Sequence, residues 1–83
     1  MSARDLRQQY EDMLLNSLEQ TTFSSGAMLT RIEGALRSAD MLERYIGLLM
    51  ERAGGRFPNL QLVDRINALV ASLESMESLA AAA

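Results

Sequence analysis

Pairs of carboxylates three residues apart are the part of this sequence that comes closest to a chemical site. Asp40 and Glu43 would share one helix turn, and so would Glu74 and Glu77. Such pairs bind metal ions in helical bundles, where Glu-x-x-His motifs complete the ligand set. Because the chain has no histidine and no cysteine, we interpret both pairs as solvated helix surface and expect neither a metal site nor a cofactor.

Nucleophilic catalysis has no support from the sequence either. The serines have no histidine to activate them, and the glycine pair Gly54-Gly55 lacks the flanking residues of a phosphate-binding loop. A glycine pair followed by Pro58 is typical of a helix end instead. We therefore expect that the protein is not an enzyme.

The composition limits the size of the protein and the partners it can have. Its 83 residues are enough for one small domain, and the net charge is −3, with eleven acidic residues against eight arginines. Binding to a phosphate backbone needs clustered positive charge, so we expect no nucleic acid. No apolar run approaches the length of a membrane span, and the charged N-terminus is unlike a secretory signal. These observations predict a cytoplasmic protein without a membrane span.

Apolar residues recur at helical spacing along most of the chain. This pattern predicts an all-α fold, in which an N-terminal helix accompanies a hairpin of two long antiparallel helices as a three-helix bundle or a coiled-coil-like assembly. We favour a break over a kinked continuous helix at residues 20–26, because threonine, serine and glycine are weak helix formers. The predicted helices cover about 3–20, 26–53 and 59–79 of a single helical domain that spans 1–83.

A strong stop signal separates the two arms of the predicted hairpin, with the turn at 54–58. We expect the pair Gly54-Gly55 to end the second helix, because glycine adopts the left-handed conformation that closes a helix without steric cost. Asn59 would cap the third helix, and Phe57 would fold back over the end of the hairpin. The predicted turn residues are Gly54, Gly55, Phe57 and Pro58.

One apolar stripe on each arm forms the predicted seam of the hairpin. The stripe positions alternate by three and four residues, which lets a helix pack along one side of a partner helix. The outer face of the second helix would carry i, i+4 ion pairs of Glu33 with Arg37 and of Asp40 with Arg44. The seam residues are Met28, Ile32, Leu42, Ile46 and Leu49 on the second helix, and Leu62, Ile66, Leu69, Leu73 and Met76 on the third.

A second apolar strip makes the C-terminal half of the second helix apolar around much of its circumference. A helix of this kind is normally buried from several directions, and one partner helix cannot cover both strips. The first helix could complete a three-helix bundle, but the small size of the chain favours a protein partner or a homo-oligomer, with a dimer as the expected form. The candidate partner-binding residues are Leu36, Met41, Tyr45, Leu48 and Met50, with Leu15 as an exposed contact on the first helix.

The first helix is amphipathic by the same criterion. Its apolar face carries Leu6, Tyr10, Met13, Leu14, Ser17 and Leu18. Glu11 lies on the opposite, polar face, and so does Leu15, which is why Leu15 is a candidate for an exposed contact.

These features give three functional hypotheses. The leading one is a non-catalytic helical protein–protein interaction module, such as an adaptor, a regulator or an assembly subunit, that acts through its apolar helix faces. In size, acidic charge and hairpin architecture, the chain also resembles in a general way the helical co-chaperones that hold needle subunits in bacterial type III secretion. That resemblance implies a small secretion chaperone with a helical export substrate, and it carries over no functional residue. A small helical nucleic-acid-associated regulator is the third hypothesis.

Overall fold

Four α-helices make up the structure, a computed structural model that describes residues 2–21, 25–54 and 59–82. The described part contains no β-strand, which confirms the all-α class. In chain order the helices are α1 (Ala3–Gln20), α2 (Gly26–Ala35), α3 (Ala39–Ala53) and α4 (Leu60–Ala82).

Serine and asparagine side chains cap the helices at the positions where the sequence predicts helix starts. Ser2 Oγ accepts a hydrogen bond from the backbone amide of Asp5, and Ser25 Oγ caps α2 in the same way. Asn59 Oδ1 accepts hydrogen bonds from two first-turn amides of α4. Each cap satisfies amides that have no partner inside the helix. Because α1 ends at Gln20 and α2 has its own cap, the break between them is confirmed.

The single helix predicted over 26–53 is wrong, because the structure divides it into α2 and α3. The cap residue of α3 is Ser38, whose backbone is extended (φ −101°, ψ 150°) and whose Oγ accepts a hydrogen bond from Met41 N. One residue earlier, the amide of Arg37 donates to the carboxylate of Glu11 on α1, with an N–O distance of 2.5 Å. Side chains therefore supply the hydrogen bonds that a continuous helix would have supplied, and the break is stable.

The two arms of the hairpin are α3 and α4, and they differ in length. α3 has 15 residues and α4 has 23, so the helix predicted over 59–79 extends to Ala82. Gly54 does not adopt the left-handed conformation predicted for the glycine pair, because its φ is −68° and its ψ is 160°. Its amide donates to Met50 O and so completes the last turn of α3. The other predicted turn residues lie outside the described residues; they are Gly55, Phe57 and Pro58.

α3 connects the parts of the molecule, because α4 packs along it and α1 packs against both α3 and α2. The first three helices contribute fully buried side chains, each worth roughly 1.5–3 kcal/mol. α4 has no buried residue and covers the core with half-buried side chains. The core residues are Leu15, Leu18, Leu29, Ile32, Leu42, Tyr45, Ile46 and Leu49, and the α4 residues packed on them include Leu62, Ile66, Leu69 and Leu73.

α1 packs on the other helices with a side that combines residues of its predicted polar and apolar faces. Glu11 is 2% exposed and Leu15 is 0% exposed, so the expectation that Leu15 is an exposed contact is wrong. The predicted apolar face is divided. Leu18 is 0% exposed and Leu14 packs against the core, whereas Leu6, Tyr10 and Met13 are 54%, 41% and 54% exposed. Leu15 and Leu18 enter the core on this side, and beside them Glu11, Asp12 and Asn16 accept hydrogen bonds from the α2–α3 junction and from α3.

Candidate protein-binding surfaces

The residues predicted to bind a partner through α2 and α3 do not form one exposed strip. Tyr45 is 0% exposed and belongs to the core, so it cannot contact a partner in this fold. Leu36, Met41 and Leu48 are half-buried and pack against the core. Of these five described residues, only Met50 keeps a large exposed fraction, 51%. The fold of the chain itself therefore covers most of the strip that the sequence assigned to a partner.

The Tyr45 hydroxyl lies at a junction of three helices. It donates to Glu33 Oε2 on α2 at 2.5 Å, and Arg65 Nη1 on α4 donates to the same oxygen at 2.6 Å. Burial raises the pKa of Tyr45 above its usual value, and the hydrogen bond to Glu33 raises this pKa further. The phenol therefore stays protonated and acts as a donor. The predicted pairing of Glu33 with Arg37 is wrong, because Glu33 accepts hydrogen bonds from Tyr45 on α3 and Arg65 on α4.

Arg44 joins α3 to α1 instead of pairing with Asp40 on its own helix, as the sequence predicted. Its guanidinium donates to Asp12 Oδ1 at 2.5 Å and to Asn16 Oδ1 at 2.7 Å, and it lies 3.5 Å from Glu19 Oε2. The hydrogen bond with Asp12 raises the pKa of Arg44. The side chains of this ion pair are 34% and 50% exposed, so it contributes about 1 kcal/mol or less. It lies beside the buried Leu15 and Leu18 and adds to the contact between α1 and α3.

An apolar stripe of α1 consequently faces solvent. Leu6, Tyr10 and Met13 are spaced by four and three residues, which is the spacing of a helix-packing seam. Arg7 borders this stripe, with its guanidinium carbon 5.6 Å from the centroid of the Tyr10 ring. Its Nη1 also donates to Ala35 O on α2 at 3.1 Å, which holds the edge of the stripe in place. Sequence periodicity identified this face, but no local signal shows that it points outward.

α4 provides more exposed apolar surface at both of its ends. Leu60 and Val63, near its start, are 73% and 41% exposed. Met76 and Leu79, near its end, are 36% and 72% exposed, and every residue from 74 to 82 is exposed. Met76 is also the one predicted seam residue that does not belong to the core or pack against it.

A cleft of about 360 Å³ opens between the first half of α1 and the α2–α3 junction. Arg4 and Arg7 reach it from α1, and Arg37 reaches it from the junction. Among the described residues Arg4 and Arg37 form no ion pair, whereas Arg44 and Arg65 do. Three guanidiniums thus concentrate positive charge in a chain whose net charge is −3. The other lining residues are Gln8, Glu11, Ser38, Asp40 and Met41.

The described ranges 2–21, 25–54 and 59–82 hold no group of three or more acidic side chains that is placed to bind a metal ion. The carboxylate pairs on α3 and α4 are exposed, as expected of solvated surface. No helix in these ranges has both the length and the apolar character that crossing a lipid bilayer requires.

Comparisons with protein-family models, with curated proteins and with solved structures found no match to this chain. The fold defines the class of protein, an all-α helical hairpin with two further helices packed on it. Its function is therefore inferred from the surfaces that the chain itself presents.

Proposed function

We propose that this chain is a non-catalytic helical protein-interaction module, which binds a helix of another protein chain on the apolar surfaces of α1 and α4. The observation that supports this proposal most strongly is the orientation of α1. An amphipathic helix normally turns its apolar side inward, whereas α1 leaves Leu6, Tyr10 and Met13 in solvent. A second helix that packs on this stripe would remove it from water.

The chemistry of the stripe suits a helical partner. A docked helix presents apolar side chains at i, i+3, i+4 and i+7, and the spacing of Leu6, Tyr10 and Met13 is complementary to that pattern. Tyrosine and arginine are enriched at protein interfaces, and here Arg7 lies against the Tyr10 ring. The molecule is only 18 Å across its shortest dimension, about two helix diameters, so a partner helix would add a third layer over a thin core.

Site-specific photo-crosslinking in the native cell tests this proposal. A photoreactive amino acid replaces Tyr10 on the stripe or, as the matched control, Glu43 on the exposed surface of α3. We expect an adduct with another protein chain from position 10 and none from position 43. Mass spectrometry of the adduct should locate the crosslink in a segment with apolar residues at helical spacing, and a second copy of this chain would qualify.

Substitutions on the stripe make the test specific. Leu6→Gln combined with Met13→Gln should abolish the adduct from position 10 and leave the helical circular-dichroism signal unchanged, because both side chains are exposed. Asp64→Asn on the exposed surface of α4 should leave the adduct intact. The proposal fails if position 10 gives no adduct, if position 43 gives the same adduct, or if the double substitution does not reduce it.

A further inference from the structure

The cleft beside α1 lies between one side of that helix and the α2–α3 junction. Arg4, Arg7 and Glu11 line it from α1, and their spacing of three and four residues places them on one side of the helix. Arg37 lines it from the junction. The exposed apolar stripe lies on a different side of α1, and Arg7 borders both surfaces. The cleft is therefore a separate site, in which two parts of the chain bring three guanidiniums together.

These guanidiniums have hydrogen-bond donors to spare. Among the described residues, the guanidiniums of Arg4 and Arg37 form no ion pair and no hydrogen bond. Arg7 donates to Ala35 O at 3.1 Å and lies over the Tyr10 ring. These contacts hold Arg7 in place and leave other donors of its guanidinium available, since a guanidinium has five N–H groups. The cleft thus combines one anchored guanidinium with two that can turn toward a ligand.

Two carboxylates line the cleft beside these guanidiniums. Glu11 is 2% exposed, and its carboxylate accepts a hydrogen bond from the amide of Arg37. Asp40 is exposed and belongs to none of the ion pairs in the described part of the chain. Three guanidiniums against two carboxylates leave an excess of positive charge, and the start of α3 adds the partial positive charge of a helix N-terminus. The cleft therefore attracts anions, although the net charge of the chain is −3.

We propose that this cleft binds the phosphate group of a small anionic ligand. A phosphate group presents three strong acceptor oxygens and up to about two negative charges, so it can accept hydrogen bonds from both walls at once. A carboxylate has two oxygens and a single charge. The planar guanidinium fork also matches the spacing of phosphate oxygens. Arg4 and Arg37 donate to the phosphate from opposite walls, and the anchored Arg7 donates from the edge of the cleft.

The size of the cleft fits a phosphorylated small molecule. Its volume of about 360 Å³ is in the range of small-molecule sites, which is about 300–1,000 Å³. A phosphate group alone does not fill it, so the rest of the ligand has room beside the polar side chains of Gln8 and Ser38. Inorganic phosphate has the same recognition chemistry, and the experiment separates the two sources. The inference goes beyond the proposed function, because it concerns a different surface and a small ligand.

NMR titration of the isotope-labelled full chain tests the site. The probes are inorganic phosphate, glycerol phosphate and, as the comparison anion, acetate, all at one ionic strength because salt screens exposed charges. We expect saturable shifts of the amide signals around Arg37 and Ala39, and none in the last turn of α4. Both phosphates should bind at least about tenfold more tightly than acetate. Tighter binding of glycerol phosphate than of inorganic phosphate would identify the ligand as a phosphorylated small molecule, and equal or weaker binding would identify it as free phosphate.

Single substitutions of exposed arginines make the test specific. Arg4→Gln and Arg37→Gln should each weaken phosphate binding by about fivefold or more, because each removes a charge-assisted donor. Arg31→Gln on α2 makes the same change of charge outside the cleft and should leave the affinity unchanged. All three side chains belong to exposed residues, so the helical circular-dichroism signal should be the same in every variant.

Three results would overturn the inference. They are shifts that grow without saturating, an affinity for acetate equal to that for phosphate, and an effect of Arg31→Gln as large as the effects of the two cleft substitutions. Crosslinking from position 10 tests a different surface of α1, so the proposed function does not depend on the outcome of this titration.

Discussion

The Tyr45 hydroxyl lies 2.5 Å from Glu33 Oε2, and Arg65 reaches the same oxygen from α4. One carboxylate thus connects α2, α3 and α4. The Arg65 and Glu33 side chains are only 26% and 21% exposed, so solvent screens this contact less than the ion pair between α1 and α3. α4 has no buried residue, and it is held by this polar junction together with its half-buried apolar side chains that pack on the core.

Tyr45→Phe should lower the free energy of unfolding by about 1–2 kcal/mol. The substitution removes one charge-assisted hydrogen bond, while Arg65 continues to satisfy the Glu33 carboxylate. Urea denaturation followed by circular dichroism measures the change. The matched control is Tyr10→Phe, whose ring is 41% exposed and whose substitution should change stability by less than about 0.5 kcal/mol. Equal stability of the two variants would mean that the hydroxyl of Tyr45 contributes nothing.

The stability of the protein should also fall in alkaline solution because of Tyr45. Burial and the hydrogen bond to Glu33 raise the pKa of its phenol in the folded chain. In the unfolded chain the phenol ionises at about pH 10. Below about pH 10 both states hold the proton, and the contribution of Tyr45 is fully present. At higher pH only the unfolded state loses the proton, so the free energy of unfolding falls by about 1.4 kcal/mol per pH unit.

Urea titrations between about pH 9 and 11 measure this decline. The difference between the wild type and Tyr45→Phe isolates the contribution of Tyr45, because the other titrating groups are common to both proteins. The variant should lose less stability than the wild type across this range. If the free energies of unfolding of the wild type and of Tyr45→Phe fell in parallel as the pH rises, the phenol would ionise at the same pH in the folded and unfolded chains.

The features that were predicted from the sequence are those that depend on nearby residues. The helix starts predicted near 3, 26 and 59 coincide with caps at Ser2, Ser25 and Asn59, which bind amides two or three residues away, so local patterns were sufficient. The cap at Ser38 was not predicted, because the continuous apolar periodicity across 26–53 favoured one long helix. The amide of Arg37 at the α2–α3 junction donates to the carboxylate of Glu11, which is 26 residues away in the sequence. No local pattern reveals such a partner.

The orientation of α1 could not be predicted for the same reason. Leu6, Tyr10 and Met13 were correctly placed on one face, but which side turns inward depends on contacts with residues distant in the sequence, such as the packing of Leu15 in the core and the pairing of Asp12 with Arg44. Helical spacing predicted that Arg44 pairs with Asp40, but in the structure Arg44 pairs with Asp12 on α1. The candidate binding surface is therefore the stripe around Tyr10 on α1, and the buried Tyr45 on α3 is no longer part of it.

Two leucines of α1 give a direct test of this orientation. Leu15→Ala should lower the free energy of unfolding by about 2–5 kcal/mol, because it opens a cavity at a side chain that is 0% exposed. Leu6→Ala removes the same atoms from a side chain that is 54% exposed and should cost less than about 0.5 kcal/mol. Urea denaturation of the two variants compares them. If Leu6→Ala were the more damaging substitution, α1 would pack with its apolar stripe inward.

The α2–α3 junction should depend on the Glu11 carboxylate. Glu11→Ala leaves the amide of Arg37 without its acceptor and should lower the free energy of unfolding by about 1–3 kcal/mol. Glu11→Gln keeps an oxygen at the same place and should retain most of the stability. Hydrogen exchange of the Arg37 amide, measured by NMR, should accelerate in the alanine variant and stay close to wild type in the glutamine variant. Ser72→Ala on the exposed surface of α4 is the control and should change neither quantity. Similar exchange rates in the two Glu11 variants would contradict the prediction, because the hydrogen bond would then not be what protects the junction.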